Sequence, residues 1–212
     1  MIKLKKEDQP QILIDNAANW TQILLSRIAN NEKPTDAERS RYRHADIKKI
    51  LIVETSGKCA YCESKILHIT YGDVEHISPK SSNIELSFLW ENLTLACDVC
   101  NTRKSNHFPD GLGFVDPYVT DPRDRFFIEG PFIFGKIGDV DARLTEETLG
   151  LNRPELFERR AEKIKNLRNQ LEFLSEKPEP LKGLLLTALR SETTKDAEFS
   201  AIASSFLQPL LG

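Results

Sequence analysis

Two Cys-x-x-Cys pairs constrain this chain more than any other feature of its sequence. The first pair is Cys59 and Cys62, the second is Cys97 and Cys100, and together they are all the cysteines among the 212 residues. Two disulfides, or four free thiols in the core, would also account for them. Paired cysteines on two separate knuckles are, however, typical of a structural four-sulfur zinc site. We therefore predict one structural zinc ion held by all four sulfurs, in a reducing compartment that disfavours disulfides.

A set of polar residues lies between and beside the two pairs. Glu75 and His76 end a short predicted strand, Asn92 precedes another, and Asn101 directly follows the last cysteine. Carboxylate and amide oxygens suit Mg²⁺ or Mn²⁺. An imidazole, with an ordinary pKa of about 6.5, suits deprotonation of a water molecule. Because neighbouring strand residues face opposite ways, Glu75 can bind metal while His76 activates water. These parts suffice for metal-assisted hydrolysis of a phosphodiester.

Four further residues near this set have two interpretations each. Asp73 lies two residues before Glu75, on the same strand face, where it would add a second carboxylate near the metal. Its place after Gly72 also suits a plain turn residue, the interpretation we favour. Lys80, Arg103 and Lys104 are candidate phosphate contacts, with ordinary surface charge as the alternative.

Charge and hydropathy limit the partners of the chain. The net charge is −3, whereas a stand-alone DNA-binding domain is usually basic. Contact with nucleic acid must then use a local patch, such as the basic run at 39–49, or the help of another protein. No apolar run approaches the ~20 residues that span a bilayer, and the start of the sequence lacks the apolar region of a signal peptide. We expect a cytoplasmic protein without membrane contact.

Periodicity and turn residues predict an α+β fold, mainly helical, around a ββα core with a structural zinc site. Helices are predicted at 10–31, in pieces over 35–55, at 100–106, and at 154–175, 181–190 and 195–207, with a short helical turn at 145–149. Strands are predicted at 65–69, 74–77 and 93–96, and a hairpin pairs 126–128 with 132–134. We divide the chain into an N-terminal helical region (1–57), a core (58–108), a loop and hairpin region (109–150), and a C-terminal helical region (151–212) that is a possible partner-docking surface.

The order of these residues resembles the HNH endonucleases with a ββα-metal core and a zinc-binding frame. The match comprises the cysteine pairs, Glu75-His76-x-x-Pro79, Asn92-Leu93, Asn101 and Lys104, with Glu75 where Asp is commoner. The resemblance implies that His76 is the general base and that Glu75 and Asn101 hold the catalytic Mg²⁺ or Mn²⁺. It implies that Asn92 holds the loop and orients His76 through its backbone.

A weaker resemblance covers most of the chain. Trp20, Phe108-Pro109, Asp116-Pro117 and the segment 149–152 look like PtuB-type HNH proteins of Septu and retron-associated anti-phage systems. That similarity implies a DNA-cutting effector nuclease with an ABC/SMC-like ATPase partner of the PtuA type. Two alternatives stay open at this point: a non-catalytic, zinc-stabilised interaction module, and an HNH nuclease that cleaves RNA.

Overall fold

The computed structural model describes residues 1–80, 83–105, 113–174 and 177–211. The predicted α+β class with mainly helical content is confirmed. The helices are α1 (Gln11–Ala29), α2 (Asp36–Arg39), α3 (Ala45–Glu54), α4 (Asp98–Lys104), α5 (Pro122–Arg125), α6 (Val140–Leu149), α7 (Pro154–Leu174), α8 (Glu179–Ser191) and α9 (Ser200–Leu211). The strands are β1 (Asp73–His76), β2 (Leu93–Ala96), β3 (Phe126–Glu129) and β4 (Phe132–Gly135), which form two antiparallel pairs.

The N-terminal helices begin and end at the predicted signals. Thr35 forms a capping box with Glu38, in which each side chain accepts a hydrogen bond from the other residue's backbone N–H. This arrangement satisfies two amides that the first turn of α2 leaves without helical partners. After α3, Gly57 adopts a φ of +69° and donates its N–H to the Ile52 carbonyl. Ser56, with a φ of +55°, takes the left-handed position after the C-cap, and the Gly57 hydrogen bond closes the helix end.

The ββα unit is built from β1, β2 and α4. In the antiparallel pair, Asp73 lies opposite Ala96 and His76 lies opposite Leu93. The backbone N–H of Ala60, in the first cysteine knuckle, donates to the Leu95 carbonyl at 2.9 Å. The first knuckle is therefore bonded to β2, and the second knuckle leads from β2 directly into α4.

Gly72 determines how the chain enters β1. It has a φ of +65°, and a Cβ there would lie 2.6 Å from the Ile66 Cδ1 atom and 3.2 Å from the Leu95 Cδ1 atom. A side chain would thus be strained in both backbone and packing.

Several predicted element bounds are wrong. Residues 65–69 form a turn in which Ile69 and Thr70 both donate to the Ile66 carbonyl. Their β-branched composition favours a strand, but a strand also needs a partner, and only an isolated bridge joins Lys58 to Lys65. The helical turn predicted at 145–149 is the longer α6, and the last helix lies about four residues later than predicted. The end of the predicted core, 106–108, lies outside the described residues.

A main core joins α1, α3, the ββα unit and the start of α7. A second, smaller core of Leu167, Leu189, Ala203 and Leu207 holds α7, α8 and α9 together. Within the described ranges, no helix is long and apolar enough to cross a membrane.

Candidate active site

The four cysteine sulfurs come together as one cluster. All four lie within 4.8 Å of one another, and the Cys62 and Cys97 sulfurs are 3.9 Å apart. The cysteines are buried and none forms a disulfide. In a tetrahedral zinc site, Zn–S bonds of about 2.3 Å place the sulfurs about 3.8 Å from one another. The donor set and its spacing therefore fit zinc, and four thiolates leave no open coordination position.

The cluster is integral to the start of α4. Cys97 is the N-cap residue of the helix, and its sulfur accepts the backbone N–H of Cys100 at 3.4 Å. The Asn101 N–H donates to the Cys97 carbonyl in the first helical turn. Asn101 is therefore placed by the same backbone that places two of the sulfurs.

A polar cavity of about 170 Å³ lies beside α4 and is lined by Asn101 and Lys104, which follow Cys97 and Cys100 by about one helical turn. It collects three of the four residues that the sequence assigned to catalysis, together with basic and aromatic side chains from before and after β1. Its lining residues are Tyr42, Arg43, Asp73, Val74, Glu75, His76, Pro79, Lys80, Asn101, Lys104 and Ser105.

Strand β1 and helix α4 face each other across this cavity in two matched contacts. Asn101 Nδ2 donates to Asp73 Oδ2 at 2.8 Å, and Lys104 Nζ donates to Glu75 Oε1 at 2.9 Å. Residues two apart share a strand face, and residues three apart share a helix face. Asp73 and Glu75 therefore lie side by side on β1, facing Asn101 and Lys104, which lie side by side on α4.

Glu75 sits in an environment that disfavours its charge. Burial raises the pKa of this carboxyl above its ordinary value, and the nearby Lys104 ammonium opposes the rise. Lys104 is fully buried and also donates to the His76 carbonyl at 2.8 Å. Its position is held from two sides, so it acts as a fixed counter-charge to Glu75.

His76 is held between an aromatic ring and a backbone carbonyl. Its ring packs edge-on against Tyr42 with centroids 4.4 Å apart, and its Nε2 lies 3.0 Å from the Ser87 carbonyl oxygen. Burial lowers the pKa of His76 to about 4, and the cations Lys80, Lys104 and Arg43 act in the same direction. A carbonyl only accepts, so the neutral ring carries its proton on Nε2 and keeps a lone pair on Nδ1.

Comparison with known proteins agrees with this geometry. Residues 59–107 match the family model described as HNH endonuclease. The chain contains an HNH endonuclease domain. It is similar to the Septu protein PtuB of Bacillus mycoides (strain KBAB4), at 26% identity, with 93% of this chain and 79% of that protein aligned. It is also 29% identical to the Septu protein PtuB of Bacillus thuringiensis, over 72% of this chain and 55% of that protein. The family match and both relatives support a nuclease, a hydrolase of phosphodiester bonds.

Asn92 lies outside the cavity of the HNH domain and braces the loop beside it. Its Oδ1 accepts the Ser78 N–H at 2.7 Å, while its Nδ2 donates to the Ser78 and Leu86 carbonyls. The Asn92 carbonyl accepts the N–H of Ile77, the residue after His76, and the expected role of the Asn92 backbone in orienting His76 stays a prediction. The carbonyl that meets the imidazole belongs to Ser87, next to the Leu86 that Asn92 fixes.

The three candidate phosphate contacts of the HNH domain lie in different environments. Lys80 lines the cavity, with its Nζ 4.0 Å from the centroid of the Tyr42 ring. Lys104 lines it too, but it is fully buried and its ammonium is paired with Glu75, so the alternative of ordinary surface charge is wrong for Lys104, and a phosphate contact there stays a prediction. Arg103 is exposed on a different face of α4, where its guanidinium packs against Gly150.

Sequence reasoning missed Tyr42 and Arg43 as residues of this site and favoured a plain turn for Asp73. Tyr42 and Arg43 reach the cavity from the 3₁₀ turn at Arg41–Arg43, about thirty positions before β1. The basic run at 39–49 was the only signal for Arg43, and nothing local marks Tyr42. Asp73, which we favoured as a turn residue, is the first residue of β1 and bonds Asn101.

Proposed function

We propose that this chain is a metal-dependent endonuclease that hydrolyses DNA phosphodiester bonds. The observation that carries the proposal is the convergence of Glu75, His76 and Asn101 on one polar cavity beside a buried four-sulfur cluster. A protein that served only as a zinc-stabilised binding module would have no need of this convergence.

His76 supplies the general base in this proposal. Its neutral ring takes a proton from water on Nδ1, while the Ser87 carbonyl holds Nε2–H and fixes the ring. The oxygen of that water then forms a bond to phosphorus, and the bond from phosphorus to the 3′ oxygen breaks. The leaving oxygen acquires its proton from solvent. The lowered pKa of His76 keeps the imidazole neutral near pH 7.

Glu75 and Asn101 would hold a divalent cation through a carboxylate and an amide oxygen, which suit Mg²⁺ or Mn²⁺. When bound, such an ion stabilises negative charge on the phosphate and on the leaving oxygen. Lys80 and Arg43 line the same cavity and would attract the phosphate from the protein side.

The test is His76→Ala in the zinc-loaded protein, assayed with Mg²⁺ on supercoiled plasmid DNA and on tRNA. We expect plasmid cleavage to fall by at least about 100-fold, the lower range for loss of a general base, with zinc content unchanged. His44→Ala is the matched control, because His44 is exposed and only caps α3.

Each outcome of this test decides one alternative. Cleavage of tRNA but not plasmid by the wild type would favour an RNA-cleaving nuclease. Full cleavage by the His76 variant would overturn the mechanism. A wild-type protein inactive on both substrates, alone and with its partner, would favour the binding module.

We also propose that the nuclease is the effector of an anti-phage complex with an ABC/SMC-like ATPase. The similarity to two Septu PtuB proteins supports this role, and so does the net charge of −3, which gives the chain little attraction for DNA by itself. The C-terminal helical region is the proposed docking surface, because it exposes Phe173, Leu184 and Leu210 around its own small core.

Mutation of the exposed face tests the docking surface directly. Leu184 is 70% exposed, so we expect Leu184→Asp to weaken binding to the purified ATPase encoded beside this chain, while zinc content and melting temperature stay the same. Phe127→Asp, at an exposed position of the β3–β4 hairpin, is the control. Equal binding by wild type and both variants would place the interface elsewhere.

A further inference from the structure

The contact between Asp73 and Asn101 has a chemical asymmetry. An asparagine side chain ends in one oxygen and one NH₂ group, and these exchange places when the amide turns by about 180°. Only the oxygen can bind a metal. An ionised carboxylate has no hydrogen to donate, so it always selects the NH₂ group of a neighbouring amide.

Asp73 is placed to make this selection. Its Oδ2 accepts from Asn101 Nδ2 at 2.8 Å, which turns Asn101 Oδ1 away from Asp73. Both residues line the cavity, next to the Glu75 carboxylate. We propose that Asp73 is a positioning residue that fixes the Asn101 amide with its oxygen toward the divalent cation. The inference rests on the proposed nuclease function, since it assigns Asn101 to the metal.

The surrounding structure holds both partners rigidly. Asp73 pairs with Ala96 in the β1–β2 ladder, and the residue after Ala96 is the zinc-frame residue Cys97. Asn101 lies in the first turn of α4, whose N-cap is the same Cys97. Neither backbone can move far without disturbing the sulfur cluster, so the remaining freedom of Asn101 is rotation of its side chain. Asp73 removes that freedom.

A double-mutant cycle on metal affinity separates this role from its alternatives. Manganese binding to the zinc-loaded protein is measured without DNA, from the electron paramagnetic resonance signal of free Mn²⁺. We expect Asp73→Ala to weaken Mn²⁺ binding about tenfold, the lower end of the range for residues that orient metal ligands. In an Asn101→Asp background, the same change should cost nothing, because both carboxylate oxygens are ligands and no orientation needs selecting.

Two further variants complete the test. The exchange Asp73→Asn with Asn101→Asp reverses the hydrogen bond and should restore Mn²⁺ affinity to within about threefold of wild type, well under the tenfold cost of losing an orienting partner. Asp98→Asn is the charge control: Asp98 also lies on α4, but it is exposed and accepts from Thr70 instead. It should leave Mn²⁺ affinity within about twofold, since an exposed carboxylate is well screened.

The other outcomes overturn the proposal. An equal loss on Asp73→Ala in both backgrounds would make Asp73 a direct ligand of the metal. No loss in either background would leave Asp73 a structural residue. Because Mn²⁺ binding is read without DNA, a protein that binds Mn²⁺ as expected but cuts no nucleic acid would count against the proposed function and not against this role.

Discussion

The sulfur cluster and the polar cavity lie one turn apart along the same seven-residue helix, and they differ in nearly every physical property. The cluster is closed, since four buried sulfurs saturate a tetrahedral ion and admit no water. The cavity has room for several waters, and its carboxylate and amide oxygens can bind a hard cation. With zinc bound, the four-sulfur cluster would stabilise the fold and fix α4 against β1, whereas the cavity is suited to chemistry.

The largest expected effect is on the closed site. Structural zinc contributes roughly 10–16 kcal/mol of apparent binding free energy in small zinc peptides, which is comparable to the whole stability of a typical domain. We therefore expect Cys97→Ser to abolish cooperative thermal unfolding, as followed by circular dichroism and zinc analysis. Ser26→Ala, at an exposed position of α1, is the control. A Cys97 variant with a normal melting temperature and no bound zinc would contradict the structural role of the cluster.

The second largest expected effect is on stability, through the buried ion pair between Lys104 and Glu75 at the polar cavity. Lys104→Met removes a buried ammonium and leaves Glu75 without its partner. Breaking a buried pair in this way costs about 3–5 kcal/mol of the free energy of unfolding, measured by urea denaturation. Adding Glu75→Gln should restore most of that stability without restoring cleavage, because the buried charge is gone. If the single variant is as stable as wild type, the pair is not important for the fold.

The third prediction concerns how the free energy of unfolding depends on pH through His76, which lines the cavity. The pKa of His76 is lowered to about 4 by burial, against about 6.5 in an unfolded chain. Between about pH 6.5 and about pH 4, His76 is therefore protonated in the unfolded state and neutral in the native state. The free energy of unfolding is constant above about pH 6.5 and decreases below it. The difference in unfolding free energy between wild type and His76→Asn should change by about 3 kcal/mol across that window. A flat difference would mean that His76 titrates normally.

The smallest expected effect is on the surroundings of the sulfur cluster. Arg153 Nη1 donates to the Cys100 sulfur at 3.8 Å. Burial lowers the pKa of this guanidinium, but the nearby cysteine sulfurs outweigh that effect and raise it overall. The cation would offset the negative charge of four thiolates, so we expect Arg153→Gln to weaken zinc binding about tenfold in chelator competition. Arg159→Gln, at an exposed position, should have no effect on zinc affinity. Equal affinities for both variants would rule out this electrostatic contribution.

The sequence carried more information about the closed site than about the open one. Four cysteines in two spaced pairs leave few arrangements, so the cluster and the HNH domain could be predicted and are confirmed. The roles of His76, Glu75, Asn92 and Asn101 remain predictions, although three of the four residues meet in one cavity.

Long-range contacts account for what the sequence did not reveal. The burial of Lys104 could not be predicted, because a lysine is almost never fully buried unless it is paired, and its partner Glu75 lies twenty-nine positions away. Asp73 resembled a turn residue because nothing local shows that Asn101 lies opposite it. The strand predicted at 65–69 failed for the converse reason, since its local propensity was right but no partner strand exists for it among the described residues.

Because the two sites share α4, the polar cavity depends on the sulfur cluster, but the cluster does not depend on the cavity. Cys100 and Asn101 are consecutive residues of α4, and each residue turns an α-helix by about 100°. One residue inserted between them would leave all four sulfurs in register but would rotate Asn101 away from Asp73. We therefore expect such an insertion to abolish cleavage and keep the sulfur cluster, whereas loss of the cluster would disturb both sites.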